Sequence, residues 1–483
     1  MLGPADRPAR RRTGMRGAAL AMCLTLWLAA ACAPRAEPPS AAPPNVIMVV
    51  IDTLRADHVG WYGNSSSVSD FLNGLADRGS VFSNAYTPSS WTSPVIASLF
   101  TSRYPSQHGI DSYASVLNAS ERTLAEELRA AGYATLGLSA NILVSAPLGY
   151  DQGFDRFKTY HGPLKERAAT LTRDAVEWID QMRSAHAQQP LFVYLQLMEA
   201  HEPWQPPHEA LEALAARRGF GADRVAQLEA FVKEQPPFVL MAPEKIDLAR
   251  DLYDAEIDSA DAQLREWFAT LSQRGVLDNA LVIVTADHGE EFLEHGGLGH
   301  GHTLYNELIH VPLLVALPGQ TSRVDIDDVV SLVDLAPTVL AAAGVASPPT
   351  FEGHSLLPAL QRGSLQRWLH GALSHVAKPA TAYSEMSDFR ATDIQPKLHR
   401  QALVQGSHKL IERRDNQEEA YDLAGDPTEH DRAGLDAAAT AAMRATLATV
   451  EQRLSHAQEP RRTEAIDAGT RERMRALGYD DGH

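Results

Sequence analysis

Cysteine is nearly absent from this 483-residue sequence, which has only Cys23 and Cys32. Cys23 lies in an N-terminal apolar stretch that reads as cleaved, so the mature chain is expected to have no disulfide and no cysteine catalyst. Positive charge is also short, with 43 Lys and Arg against 61 Asp and Glu for a net charge of −18. Loss of residues 1–31 removes five Arg and one Asp, leaving 38 basic against 60 acidic residues and a net −22. Such a surface repels nucleic acid and bare anionic membranes, so no nucleic-acid partner is expected. An anionic substrate would need a local metal to overcome that field. Long hydrophobic runs are missing too. The stretch around Ala18–Ala31, preceded by Arg10, Arg11 and Arg12, is too short to span a bilayer as a mature helix. It reads as an export signal, whether the chain starts at Met1 or Met15.

The signal ends "LAAACAP", and small residues directly before Cys32 resemble the lipidation site of bacterial lipoproteins. The expectation is an exported protein, lipid-anchored through Cys32 on the periplasmic side of a bacterial envelope; simple cleavage near Ala31 is the alternative. Residues 32–44 are a Pro/Ala-rich linker holding the globular part off the anchor. Hydrophobic residues make up 44% of the chain, enough for one large domain plus a smaller one.

"NVIMVVIDT" is a continuous apolar run stopping at an acid, as suits a strand buried on both faces. Similar runs recur at Tyr133–Ala140, Leu191–Met198, Asn279–Gly289 and Val311–Leu317, separated by helical patterns at Thr123–Gly132 and Ala169–Met182. This alternation predicts an α/β fold over 45–375, with a mostly parallel central sheet flanked by helices. From about residue 380, shorter β-like pieces and a helix at Ala437–Leu454 predict an α+β subdomain with a helical tail over 376–483.

Ligands of such sheets sit at the carboxyl ends of the strands. Asp52 ends the first run, His201 follows "LFVYLQLMEA", and Asp287 with His288 follows "LVIVTA". Each alone also suits a turn or cap. Thr92, in "SSWTSPVIASLFTSRYP", is the candidate nucleophile, although Ser93 and Pro94 equally read as N-cap and first turn of a helix. Two carboxylates, an adjacent His and a hydroxyl can together bind one divalent cation. The expected set is Asp52, Thr92, Asp287 and His288, which suits Zn²⁺ or Mn²⁺ and admits Ca²⁺. Such an ion lowers the hydroxyl's pKa and neutralises an anionic substrate.

Five motifs carry a family resemblance: "NVIMVVIDTLRADHVGWYG", "WTSPVIASLFTSRYPSQHG", "MEAHEPW", "VTADHGEEFLEHGGLGHGHTLYNELIHVPLL" and "HKLIERRDNQEEAYDLAGDPTEHDRAG". In order and spacing, over about residues 44–435, they resemble the sulfatase family of the alkaline phosphatase superfamily. The departures are informative. The family's nucleophile frame is Cys or Ser, any residue, Pro, any residue, Arg, with the first residue oxidised to formylglycine; here it reads Thr92, Ser93, Pro94, Val95, Ile96. Threonine cannot give the aldehyde, and the frame's Arg is Ile96. The family's lysine twelve residues after the DH histidine corresponds to His300.

Thr92 with His300 resembles instead the phosphoethanolamine transferase, lipoteichoic acid synthase and phosphonate hydrolase side of the superfamily, where an unmodified threonine is often the nucleophile. The resemblance implies that His201 contacts the transferred group or leaving oxygen, and that His300, or alternatively His302, takes the lysine's place. It also implies a substrate hydrogen bond for Asn141, which otherwise reads as a cap. Asp57 and His58 are expected to buttress the first ligand loop, Asp258 and Asp261 to be structural or solvated, and His295 to sit on a surface loop. The excursion Glu202–Ala242 carries Trp204, Phe231 and Phe238, which would either pack on substrate or form its own small core. The expected activity is cleavage of a phosphate or phosphonate ester. The alternatives are a sulfuric ester hydrolase without formylglycine and a non-catalytic binding lipoprotein.

Overall fold

β1 (Asn45–Ile51) is buried at every residue because strands flank it and helices cover both its faces. In the computed structural model the described residues are 3, 42–64, 69–160, 167–234, 241–363, 380–387, 399–413, 417–431, 434–455, 462–463 and 468–476. All of the export signal but residue 3, together with Cys32, most of the linker and Phe238, lies outside them.

The large sheet also contains β2 (Ser80–Tyr86), β3 (Ala134–Ser139), β4 (Arg156–Thr159), β5 (Leu191–Leu197) and β6 (Ala280–Thr285). A short ribbon of β7 (Glu291–Phe292) and β8 (Leu298–Gly299) follows, then β9 (Leu313–Ala316) and β10 (Val324–Ser331) complete the sheet. Its order is β10-β2-β9-β6-β1-β5-β3-β4. Neighbours are parallel except β9, which runs antiparallel to β2 and β6. Register positions the site: Val50 of β1 lies opposite Gln196 of β5 and Thr285 of β6. Two residues beyond Val50 and Thr285 stand Asp52 and Asp287, delivered side by side at the carboxyl edge.

Among the helices are α1 (Thr92–Thr101), α2 (Ala168–Ala185), α3 (His208–Arg218), α4 (Ala222–Glu234) and the 28-residue α5 (Ile246–Gln273). α3 and α4 belong to the excursion. Its Trp204 is buried and stacks on Phe292 with ring centroids 5.5 Å apart, while Phe231 is buried in α4, so both serve the protein's own core. Asp261 of α5 accepts the Phe71 and Leu72 N–H groups at 2.9 and 2.8 Å, capping the helix Asp70–Ala76.

β11 (Thr381–Ser387), β12 (His399–Gln405), β13 (His408–Arg413) and β14 (Glu418–Asp422) form a separate antiparallel sheet. Its faces alternate in use, as period-two side chains require. Ala402, Val404, Ile411 and Tyr421 pack with Tyr86, Leu308 and Val329 of the large-sheet layer. Leu403, Leu410 and Ala420 pack with Met443, Leu447 and Leu454 of α6 (Ala437–Leu454). A further helix, α7, spans Ala468–Ala476. Residues Pro43–His483 form one compact unit. Among the described residues no helix is long and apolar enough to cross a membrane.

Candidate active site

Thr92 opens α1, with Trp91 in extended conformation as the N-cap. Ser93 is therefore inside the first turn and is not the N-cap that its sequence context suggested. The Thr92 hydroxyl is buried, with Oγ1 3.2 Å from His288 Nε2 and 3.3 Å from Asn141 Nδ2. The first-turn N–H groups of α1 make this end electropositive, which favours an approaching anion.

Asp52 and Asp287 are fully buried beside it. Asp52 Oδ2 accepts from Asn141 Nδ2 at 2.6 Å and Gln196 Nε2 at 3.1 Å. Asp287 Oδ1 accepts the Thr53 N–H at 3.2 Å and the His288 N–H at 2.9 Å. To donate there, Thr53 takes a left-handed φ of 57°, a strained conformation for a β-branched residue. Tyr253 of α5 braces this turn, donating to the Thr53 carbonyl and accepting from the Arg55 N–H, both at 2.8 Å. Burial pushes the Asp52 carboxyl up to about 8, with the Asp287 charge adding to the effect, and burial lifts Asp287 to about 7.

These residues fit a divalent cation. Ligand atoms of Asp52, Asp287 and His288 all lie within 4.8 Å of one another. Asp52 Oδ1 and Asp287 Oδ2 are buried with no hydrogen-bond partner, 3.8 and 3.6 Å from His288 Nε2. The tautomer agrees. His288 Nδ1 is 2.9 Å from the Gly289 carbonyl, which can only accept, so Nδ1 carries the proton and the Nε2 lone pair faces the carboxylates. Burial keeps this ring neutral by lowering its pKa. Gly289 is required by close approach, since a Cβ there would stand 1.9 Å from the Glu307 carbonyl oxygen.

Two further histidines join the group. The His300 ring centre is 4.4 Å from that of His288 and 5.1 Å from that of His201. His300 Nδ1 donates to Glu290 at 2.9 Å, and His201 Nδ1 donates to the Glu202 carbonyl at 2.6 Å. Asn141 Oδ1 accepts the Leu143 N–H at 2.8 Å as a turn cap, and its amide nitrogen donates to Asp52 and Thr92. His302 is engaged elsewhere, its Nε2 2.7 Å from Glu291 in the β7–β8 ribbon.

His295 is not a loose surface residue. Its ring stacks on Tyr305 at 3.6 Å, Nδ1 lies 2.6 Å from Glu307, and Nε2 lies 3.1 Å from the Glu429 carbonyl. Both partners accept, so the ring is an imidazolium; burial opposes the charge, but Glu307 outweighs it and lifts the pKa to about 8. Arg55 pairs with Asp57 and Glu294, and His58 with Asp254, bracing the turn after β1. Gln196 and Glu290 are site residues that sequence reasoning missed. A lone Gln in the apolar run "LFVYLQLM" was the available signal for the first.

A family model described as Sulfatase matches residues 44–345, and one described as N-sulphoglucosamine sulphohydrolase, C-terminal, matches residues 294–459. The chain belongs to the sulfatase family, ester hydrolases of the alkaline phosphatase superfamily whose members use a divalent metal. It is 27% identical over 387 residues to arylsulfatase K of Danio rerio, covering 71% of each chain. A structure solved in complex with its substrate D-glucosamine-2-N,6-O-disulfate aligns over 86% of this chain and 99% of its own, with TM-score 0.69 and 18% identity. The phosphonate monoester hydrolase of Agrobacterium radiobacter aligns over 87% of this chain and 97% of its own, with TM-score 0.66 and 20% identity.

Proposed function

We propose that the protein is an exported, metal-dependent hydrolase or transferase that cleaves a phosphate or phosphonate ester through Thr92. The observation that carries this reading is the placement of an unmodified threonine hydroxyl at a helix N-terminus, 3.2 Å from His288 Nε2 and beside Asp52 and Asp287. A divalent cation held by Asp52, Asp287 and His288 would acidify the Thr92 hydroxyl and neutralise the anion. Asn141 Nδ2 donates to Oγ1, stabilising the negative charge that develops as the hydroxyl proton passes to solvent. Oγ1 attacks phosphorus, the bond to the leaving oxygen breaks, and His201 supplies that oxygen with a proton from Nε2. The Nδ1–H bond to the Glu202 carbonyl fixes the orientation of this ring. His300, oriented by Glu290, offers a further donor in the position where the family has lysine. Water or an alcohol then removes the group from Thr92.

Arylsulfatase K, by its name, acts on sulfate esters, which keeps sulfate as the second reading. A panel of 4-nitrophenyl phosphate, bis(4-nitrophenyl) phosphate, 4-nitrophenyl phenylphosphonate and 4-nitrophenyl sulfate, given to metal-reconstituted protein, separates the two. A phosphorus ester is expected to have the highest kcat/KM, and a sulfate ester turned over tenfold faster than all three would contradict the proposal. The lipid anchor at Cys32 is part of the same proposal, supported by "LAAACAP". Cys32→Ser is expected to move the protein from the membrane fraction to the soluble exported fraction; wild-type protein that is already soluble would contradict it.

A further inference from the structure

The C-terminal segment returns to the site from beyond residue 459, where the second family match ends. The Val116 N–H donates to the Arg462 carbonyl at 2.9 Å, and Ser115 and Thr463 form an isolated antiparallel bridge. α7 then buries Met474 to 1% exposure against Ile142 and Leu143, in a cluster of its own with Tyr113 packed on it.

Both chain segments that this cluster touches lead to the nucleophile. Leu143 donates its N–H to Asn141 Oδ1 at 2.8 Å, which fixes the amide whose nitrogen reaches Asp52 at 2.6 Å and Thr92 at 3.3 Å. Tyr113 meets Trp91 edge to face, with centroids 5.5 Å apart, and Trp91 is the N-cap residue directly before Thr92. We propose that Met474 is a positioning residue: the C-terminal helix clamps the Asn141–Leu143 turn and the Trp91 end of α1, and so holds the Asn141 amide on Thr92 and Asp52. The inference rests on Thr92 as the nucleophile. The physical basis is that a small misplacement of a catalytic hydrogen bond lowers the rate out of proportion to its effect on folding.

The test uses the full chain, loaded with metal, and the 4-nitrophenyl ester it turns over best. Met474→Asp, which places a charge among Ile142 and Leu143, is expected to lower kcat at least tenfold. At saturating metal KM should change less than threefold, and the main unfolding transition should remain cooperative. Met474→Ala is the milder second variant, expected to lower kcat in the same direction, while Met474→Leu should restore kcat to within twofold of wild type. A coupling measurement separates positioning from general loosening: in an Asn141→Ala background, Met474→Asp should add less than a twofold effect. Wild-type kcat in both Met474→Asp and Met474→Ala, or independent multiplication with Asn141→Ala, would overturn the inference. If Thr92→Ala is inactive while the Met474 variants are normal, the tail assignment alone fails; if Thr92→Ala keeps wild-type turnover, the nucleophile reading fails and takes this inference with it.

Discussion

Asp52 divides its work between two oxygens. Oδ2 is saturated by Asn141 and Gln196, while Oδ1 is buried beside His288 without a hydrogen bond. A carboxylate oxygen left bare in the interior is costly unless a cation meets it, and Asp287 Oδ2 is in the same position. Asp287→Asn keeps the shape and removes the charge. It is expected to abolish bound metal by elemental analysis and nearly all turnover while the circular dichroism spectrum is retained; full metal occupancy would refute the ligand assignment. Gln196→Leu removes one of the two donors to Oδ2 and is expected to weaken metal affinity on the order of ten- to a hundredfold by chelator competition, as loss of an outer-shell partner does.

At the scale of elements, the helical turn Asn306–Ile309 and the small sheet are joined through a buried ion pair. Lys409 of β13 and Glu429 are both inaccessible to solvent and pair at 2.6 Å, and Lys409 also donates to Asn306 at 3.0 Å. Glu429→Gln removes the carboxylate bonded to the buried Lys409 ammonium and is expected to cost about 3–5 kcal/mol in chemical denaturation, with much of it recovered in the Lys409→Met, Glu429→Gln double variant. The strands legible in the sequence were those buried on both faces: β1, β5 and β6 lie in nearly continuous apolar runs. β10 was not legible, because "VDIDDVVS" lies at the sheet's edge and carries acids toward solvent, and β4 is likewise a short edge strand with charged residues. The reversed direction of β9 follows from topology, to which an apolar run is blind. Asp52, Asp287 and His288 could be read because they end strands. The Asn141 and Gln196 contacts could not, because they depend on register between β1, β3 and β5.

For the molecule as a whole, the buried acids make metal and pH act together on stability. Asp52 at about 8 and Asp287 at about 7 stand above the ordinary aspartate value of 3.8. Without metal, the folded state keeps protons that the unfolded chain releases, so this contribution to stability is full below pH 4 and is lost as pH rises toward 8. Metal binding requires the deprotonated acids and acts in the opposite direction. The difference in Tm between metal-loaded and chelated protein is therefore expected to widen from pH 5.5 to pH 8; a pH-independent difference would contradict the assignment. The most direct measurement addresses the covalent step. Metal-loaded wild-type protein is quenched during turnover of a slow phosphorus ester, digested and analysed by peptide mass spectrometry. A phosphoryl or phosphonyl group on the Thr92 side chain is the expected result, with none in Thr92→Ala, which should also be inactive; a trapped group on another residue, or wild-type turnover by Thr92→Ala, would contradict the mechanism.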